Sequence, residues 1–374
     1  MLQLVNNVFK VMVSTDNQVK INTEQNEGSR SNKSFHSIAS SNSNLFRISQ
    51  GYKPFHYPWA YEKWQTQQKM HWLAEEVPMA DDVRDWKIKL TESERHLLTQ
   101  IFRFFTQSEI DVSNCYMNHY GRIFKPVEIS MMLAAFSNME TIHIDGYAKI
   151  LETCSMPEVE YSAFMKYKEM KDKHEYMQKF SMDSLEDIGF TLAAFSAFTE
   201  GLQLFSSFAI LLNFPRFNKM RGMGQIVSWS VRDESLHVDS MIKLFRVFVE
   251  EHPHIYTKEF RSNIYNTCNA MVHHEDAFID LAFEMGDIEG LSAREMKKYI
   301  RYLADIRLMQ LGLKPVYQIE QNPLPWLSTI LNIPEYANFF ETRATTYAKS
   351  ATTGEWDDVW KDFDATHMTS LHID

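Results

Sequence analysis

The sequence predicts an all-α protein, and two observations lead to that prediction. Apolar residues recur every three or four positions over four long segments, which is the period of one helix face. Only 12 glycines and 11 prolines occur in 374 residues, which is too few for an all-β fold with its many turns. A hydrophobic content of 44% is enough for a sizeable core, so a wholly disordered or fibrous chain is excluded.

The first two predicted helices are recognised by their N-termini. Glu94 follows Thr91 by three residues, which predicts a capping box and a helix that begins at Thr91. The second helix is expected directly after Pro126, because proline is favoured at a helix start. The predicted inward faces are Leu98, Phe102, Phe105, Glu109, Val112 and Tyr116 in the first helix, and Ile129, Leu133, Phe136, Glu140, His143, Tyr147 and Leu151 in the second.

The third predicted helix covers Ser184–Asn213 and is expected to stop before Pro215, since proline cannot continue a helix comfortably. Its apolar run Leu192–Leu212 is about long enough to cross a bilayer. Glu200 and Gln203 lie in the middle of that run, which favours a buried helix of a soluble protein over a membrane span.

A fourth long helix is predicted from Met223 to Glu250, and two further helical patterns follow at Lys258–Met285 and Ser292–Gly312. Residues 1–50 are polar and rich in Ser and Asn, and are predicted to form a flexible N-terminal extension. Residues 51–347 are predicted to form one helical domain, and residues 348–374 a mobile C-terminal tail.

Charge and cysteine content limit the partners and the compartment. The chain has 49 acidic and 38 basic residues, a formal net charge of −11, so bulk binding of nucleic acid is not expected. Its 3 cysteines are an odd number without close spacing, so neither a disulfide framework nor a C-x-x-C zinc site is predicted. A reducing, cytoplasmic location without a membrane anchor is therefore expected.

Each of the four long helices carries a glutamate in the middle of its apolar face. Two of these glutamates are followed three residues later by a histidine, which lies beside them on the same helix face. A third Glu-x-x-His, Glu251 to His254, contains Pro253 and is interpreted as a coincidence. The residues concerned are Glu109, Glu140 with His143, Glu200, and Glu234 with His237.

Four buried carboxylates require positive charge nearby, because an unpaired carboxylate in an apolar core is very costly. Two divalent ions carry +4 and would balance the four glutamates, with two neutral imidazoles as further ligands. Oxygen-rich ligation with imidazole suits iron or manganese. This set of residues has the arrangement of ferritin-like dimetal bundles, in which two helices each provide one glutamate and the other two each provide a Glu-x-x-His pair.

At these positions the sequence resembles the small, radical-generating (beta) subunit of class I ribonucleotide reductase, over roughly Tyr57–Trp356. The order and spacing of all six candidate ligands agree with that family. The segments that carry the resemblance are Phe104-Phe105-Thr106-Gln107-Ser108-Glu109, Met139-Glu140-Thr141-Ile142-His143 with Tyr147, and Arg232-Asp233-Glu234-Ser235-Leu236-His237.

The resemblance implies a ferritin-like bundle in which Tyr147 holds a stable radical. Trp72, in a segment similar to the family's radical-transfer segment, would pass the radical on together with Asp233, and Tyr347 would relay it in the tail. The C-terminal tail would dock on a large (alpha) subunit, and the small subunit would be a homodimer. The metal ligands implied are Glu109, Glu140, His143, Glu200, Glu234 and His237.

The first expectation for the metal pair is two irons. A manganese ion with an iron ion, or two manganese ions, are the alternatives. Glu109 stands where the family commonly has Asp, and such changes accompany alternative metals. Of the residues expected to surround Tyr147, Phe208 is aromatic, whereas Leu204 and Ser230 are not.

The implied reaction begins when the reduced metal pair reacts with dioxygen and oxidises Tyr147. The radical then reaches a large subunit that reduces ribonucleotides to deoxyribonucleotides. Three alternatives remain from the residues alone. They are a dimetal ligand-binding oxidase or oxygenase in which Tyr147 is ordinary core, a ferritin-like metal store, and a helical scaffold without metal.

Overall fold

The computed structural model describes residues 43–177 and 180–332. Within these ranges the regular structure is helical, apart from one isolated bridge between Ile288 and Leu291, so the all-α prediction is confirmed. The predicted tail 348–374 and Tyr347 lie outside the described residues, as does most of the predicted N-terminal extension.

The longer helices of the described ranges are numbered α1–α11 in chain order. They are α1 (Pro58–Lys69), α2 (Ala80–Arg84), α3 (Glu92–Asn114), α4 (Val127–Thr153), α5 (Lys168–Met177), α6 (Leu185–Ala193), α7 (Phe205–Arg216), α8 (Arg221–Glu251), α9 (Lys258–Ala282), α10 (Ala293–Gln310) and α11 (Pro325–Asn332).

The predicted helix starts agree with the structure. Thr91 caps α3 through a complete capping box, in which the Glu94 amide donates to Thr91 Oγ1 and the Thr91 amide donates to Glu94 Oε2. Helix α4 begins at the residue after Pro126, as expected. Ser184 caps α6 by accepting a hydrogen bond from the amide of Asp187. Each cap satisfies amide groups that have no partner inside the helix.

The third predicted helix differs from expectation in two ways. Between α6 and α7 the chain forms a π-helical segment, Ala194–Leu204, which carries Glu200. The prediction that the helix stops before Pro215 is wrong, because α7 continues through Pro215 and ends at Arg216. A proline so close to the end costs the helix only one backbone hydrogen bond, and the chain leaves the helix one residue later.

The apolar run of this third helix lies in the core. Leu185–Arg216 is long and apolar enough to cross a membrane, but its most apolar window is 100% buried inside the protein. A helix enclosed on all sides by other helices is expected to be apolar all round. This agrees with the prediction of a buried core helix.

Four elements surround the centre of the bundle: α3, α4, the π-helical segment 194–204 and α8. Helix α3 packs along α4, and α8 packs against the π-helical segment and α7. The N-terminus of α8 is held in place by Asp82, whose carboxylate accepts hydrogen bonds from the amides of Gly222 and Met223. These contacts hold the inward faces of the four elements toward one another.

The first described residues pack on the bundle, although the sequence assigned residues 1–50 to a flexible extension. Leu45 is fully buried, and its carbonyl accepts a hydrogen bond of 3.0 Å from the amide of Lys125. Ser49 Oγ accepts another of 3.0 Å from the amide of Val127. The part of the predicted extension that the structure describes, 43–50, therefore includes residues attached to the start of α4.

Candidate metal centre

The structure brings all six predicted ligand residues together at the centre of the bundle. Helix α3 contributes one carboxylate, the π-helical segment another, and α4 and α8 each contribute a Glu-x-x-His pair. Every one of the six is at most 1% exposed. The residues are Glu109, Glu140, His143, Glu200, Glu234 and His237.

The six side chains form two clusters that share one residue. In each cluster, one potential ligand atom from every member lies within 4.8 Å of the others. Glu234 belongs to both clusters, so the two candidate ion positions are adjacent. The first cluster is Glu109, Glu140, His143 and Glu234, and the second is Glu200, Glu234 and His237.

Two of the carboxylates extend between the clusters. Glu140 places Oε2 3.2 Å from His143 Nδ1 and Oε1 3.0 Å from His237 Nδ1. Glu234 places Oε1 3.1 Å from His143 Nδ1 and Oε2 3.7 Å from His237 Nδ1. A carboxylate with one oxygen directed toward each of two sites has the geometry to bridge two cations. Glu109 and Glu200 lie at opposite ends as terminal carboxylates.

Unsatisfied polar atoms show that these residues fit a pair of cations. Neither carboxylate oxygen of Glu109 has a hydrogen-bond partner among the described residues. Burial raises the pKa of Glu109 well above its ordinary value, and the neighbouring Glu140 adds to that rise. Burial likewise raises the pKa of Glu200. Two divalent ions among these oxygens would supply the missing partners and the missing positive charge.

Both imidazoles are oriented from outside the centre. His143 Nε2 lies 3.3 Å from Asp233 Oδ2, and His237 Nε2 lies 3.0 Å from Gln67 Oε1. Gln67 Nε2 also donates to Asp233 Oδ1 at 3.2 Å, which joins the two supports. Because Nε2 is hydrogen bonded in this way, each ring presents Nδ1 to the centre. In metal-binding histidines, the nitrogen that does not bind the metal usually makes such a hydrogen bond.

The electric field at the centre favours cations. Burial lowers the pKa of His237, but the carboxylates of Glu234 and Glu140 outweigh burial and raise this pKa to about 10. His143 also has its pKa raised well above the ordinary value, against the effect of burial, by Asp233 and the same two glutamates. A region that holds protons this strongly also attracts metal ions, which compete with protons for the same atoms.

Tyr147 lies beside the first cluster in an aromatic environment. Its ring centroid is 6.4 Å from that of His143, and the residue is 4% exposed. Phe105 stacks on Tyr147 with centroids 4.5 Å apart, and Phe208 stacks on Phe105 at 5.6 Å. Burial raises the pKa of Tyr147 well above its ordinary value, so the phenol keeps its proton. Leu204 is buried as well.

Trp72 is connected to the centre by a chain of hydrogen bonds. Its Nε1 donates to Asp233 Oδ2 at 2.8 Å, and the same oxygen is the one that lies near His143. The rings of Trp72 and His143 are also stacked, with centroids 6.0 Å apart. Trp72 is 2% exposed, and the ring of the half-buried Trp229 also packs against it, with centroids 5.3 Å apart. Trp72, Asp233 and His143 therefore form a continuous path of contacts that leads to the metal centre.

Sequence reasoning missed four residues that contact the predicted site. Phe105 was assigned to the inward face of its helix, but its stacking on Tyr147 depends on tertiary packing. Gln67 and Trp229 occur in helices without any local signal, and Tyr116 was assigned only to the core. Tyr116 donates a hydrogen bond of 3.0 Å to Glu200 Oε2. A search for polar residues within the apolar faces would have found Tyr116.

The buried Glu109 carboxylate should destabilise the metal-free chain. Replacement of Glu109 by Met, which has a similar shape, is expected to increase the free energy of unfolding of that form by about 1–3 kcal/mol, because an unsatisfied buried polar group is removed. Urea unfolding after chelation measures this change. Glu152→Met, at an exposed acid of α4, is the control and should shift stability by no more than about 0.5 kcal/mol. A loss of stability in Glu109→Met would refute the argument.

A helical bundle with two adjoining carboxylate–histidine clusters at its centre is a ferritin-like fold, and the clusters are consistent with the site of a dimetal carboxylate protein. A sequence comparison narrows this class, because the profile of the family "Ribonucleotide reductase, small chain" matches residues 49–323. The chain belongs to the family of ribonucleotide reductase small chains, and the resemblance seen in the sequence is confirmed. It is the small subunit of an oxidoreductase.

Individual relatives agree with this assignment. A probable ribonucleoside-diphosphate reductase small subunit of invertebrate iridescent virus 6 is 44% identical over 347 residues, which cover 83% of this chain and 96% of the relative. The beta subunit of the Chlamydia pneumoniae enzyme is 32% identical, over 79% of this chain and 88% of its own. A ribonucleotide reductase R2 subunit structure from Clostridium botulinum shares the fold, with a TM-score of 0.70, 24% identity, and coverage of 76% and 91% of the two chains.

Proposed function

We propose that this small subunit holds two metal ions between its six buried ligands and uses them to generate a radical on Tyr147. The observation that carries the proposal is the pair of clusters joined through Glu234. A metal store would need neither a buried tyrosine stacked on a phenylalanine nor a hydrogen-bonded tryptophan beside the site. A plain scaffold would not leave the oxygens of Glu109 without partners in its core.

The proposed metal pair is two irons, with manganese and iron or two manganese ions as the alternatives. Four carboxylates and two imidazoles suit each of these pairs, since all are redox-active ions that accept oxygen and nitrogen ligands. When bound and reduced, the pair would supply the chemistry that consumes dioxygen and removes one electron from Tyr147.

The residues around Tyr147 protect its oxidised form. Because burial raises its pKa, Tyr147 starts as a neutral phenol. Phe105 covers one side of the ring, and Phe208 extends the apolar layer. Water and reductants are therefore kept away from the ring, which lengthens the lifetime of the radical.

After the radical has formed on Tyr147, we propose that it is transferred away from the metal centre. Asp233 accepts the hydrogen bond of the Trp72 indole, so its carboxylate can take the indole proton when Trp72 is oxidised. From Trp72, transfer to the large subunit would use Tyr347, with the tail 348–374 docked on that subunit. We further propose that the small subunit is a cytoplasmic homodimer and that it binds neither nucleic acid nor a membrane.

The alternative function, a dimetal oxidase or oxygenase acting on its own organic substrate, would need space beside the ligands. A cavity lined by Ser108 and Thr199, the chain neighbours of Glu109 and Glu200, has a volume of only about 10 Å³. This is room for about one water molecule. An organic substrate would therefore not fit in this cavity without movement of the residues that line it.

Metal removal tests the proposed function directly. The chelated chain combined with its large subunit is expected to show no reduction of a ribonucleoside diphosphate. Addition of Fe(II) or Mn(II) followed by dioxygen should restore turnover. A Glu234→Ala chain treated in the same way is the control and should stay inactive. Full turnover without metal would exclude the proposal, and oxidation of an organic substrate without the large subunit would support the alternative.

A further inference from the structure

The two terminal carboxylates of the centre are held differently. Glu109 makes no hydrogen bond through either carboxylate oxygen within the described residues. Glu200, at the other end, accepts a hydrogen bond of 3.0 Å on Oε2 from the hydroxyl of Tyr116. One end of the centre therefore has a protein donor on its carboxylate, and the end next to Tyr147 does not.

Tyr116 has little freedom to move away from Glu200. It is 1% exposed and lies in a second π-helical stretch, Cys115–Tyr120, which follows α3. The edge-on rings of Phe136 and His237 each lie 6.0 Å from its own ring, measured between centroids. Tyr120 packs edge-on against it at 5.9 Å. Three rings thus hold the Tyr116 ring in place, with its hydroxyl oxygen beside Glu200.

The backbone that carries Glu200 is also anchored. Arg307, from α10, donates a hydrogen bond of 2.8 Å from Nε to the carbonyl of Gly201. A Cβ atom at position 201 would lie 2.6 Å from that Nε, so the close approach requires glycine. The Arg307 guanidinium also lies over the Phe205 ring, 5.2 Å from its centroid. The π-helical segment is therefore fixed directly next to Glu200.

We infer that Tyr116 is a positioning residue that limits Glu200 to one-oxygen ligation of its metal ion. With Oε2 engaged by the phenol, Oε1 is the oxygen available to the ion, and a shift to two-oxygen ligation would break a buried hydrogen bond. The Glu200 end of the centre is then the rigid end, and Glu109 is the carboxylate that can change its binding mode beside Tyr147. This inference rests on the proposed binding of two metal ions.

The variant Tyr116→Phe removes only the hydroxyl and tests the inference. Anaerobic calorimetric titration of the metal-free chain with Mn(II) should show two ions bound, one of them about 10- to 100-fold more weakly than in the unmodified chain. Tyr120→Phe is the matched control. It lies in the same π-helical stretch, but its hydroxyl donates at 3.4 Å to the carbonyl of Thr191, whereas the hydroxyl of Tyr116 donates to Glu200.

A spectroscopic measurement separates positioning from a merely structural role. The visible absorption bands of bound Co(II) report its ligand geometry and should shift in Tyr116→Phe but not in Tyr120→Phe. Unchanged Mn(II) affinities and Co(II) bands would overturn the inference, whatever happens to the melting temperature. Failure of the unmodified chain to bind metal would overturn the proposed function instead.

A crystal structure of the unmodified chain with Mn(II) tests the inference even if Tyr116→Phe does not fold. The expected result is one oxygen of Glu200 on the ion and the other on the Tyr116 hydroxyl. If both oxygens of Glu200 bind the same ion and neither accepts a hydrogen bond from Tyr116, the tyrosine does not control ligation.

Discussion

Tyr147→Phe is expected to abolish the stable tyrosyl radical while both metal ions still bind. The substitution removes one oxygen and leaves the ring that stacks on Phe105, so the packing beside the centre is kept. Without the hydroxyl, no phenoxyl radical can form at this position, and ribonucleotide reduction should fall to background. Electron paramagnetic resonance after addition of Fe(II) or Mn(II) and dioxygen measures the radical.

Tyr120→Phe is a suitable control for this experiment, since Tyr120 is also buried but its hydroxyl donates to the backbone carbonyl of Thr191. Its radical yield and metal content should match those of the unmodified chain. A stable tyrosyl signal that persists in Tyr147→Phe would assign the radical to another residue. Loss of bound metal in that variant would point instead to a structural role.

Trp72→Phe should separate formation of the radical from its use. The Trp72 indole is the group that hydrogen bonds to Asp233, and phenylalanine provides neither the N–H nor an easily oxidised ring. The Tyr147 radical should therefore form normally, whereas turnover with the large subunit should fall at least about 100-fold, the lower end of what a positioned proton partner contributes. Parallel measurement of the radical signal and of deoxyribonucleotide formation checks both parts.

A second tryptophan provides the matched control. Trp86 is half-buried and packs on Phe102 with ring centroids 6.3 Å apart. Trp86→Phe should preserve both the radical and turnover. Normal turnover in Trp72→Phe would exclude this residue from the transfer route, and loss of the radical in the same variant would show that Trp72 acts in its formation.

Helical periodicity was enough to predict which residues meet at the centre. Glu109 lies between Phe105 and Val112 on one face of α3, so the same rotation that buries those apolar side chains buries the carboxylate. The three-residue spacing of Glu140 and His143 places both side chains on one face of α4. Charge balance among four buried acids then leads to two cations without knowledge of the fold.

Features that depend on tertiary contacts were not predictable in this way. The π-helical segment 194–204 has an apolar sequence compatible with an ordinary helix, and wide turns of this kind are rare. Gln67 is 170 residues away from His237 in the chain, and a glutamine in a polar helix such as α1 normally faces solvent. The predicted relay residue Tyr347 lies outside the described residues, so its role stays a prediction.

Anomalous scattering from crystals of the Mn(II)-loaded chain tests the two-ion centre most directly. We predict two peaks per chain, both adjoining Glu234. One should lie within the cluster of Glu109 and His143, and the other within the cluster of Glu200 and His237. A single peak, or peaks away from these residues, would contradict the proposal that four buried glutamates and two histidines hold a metal pair.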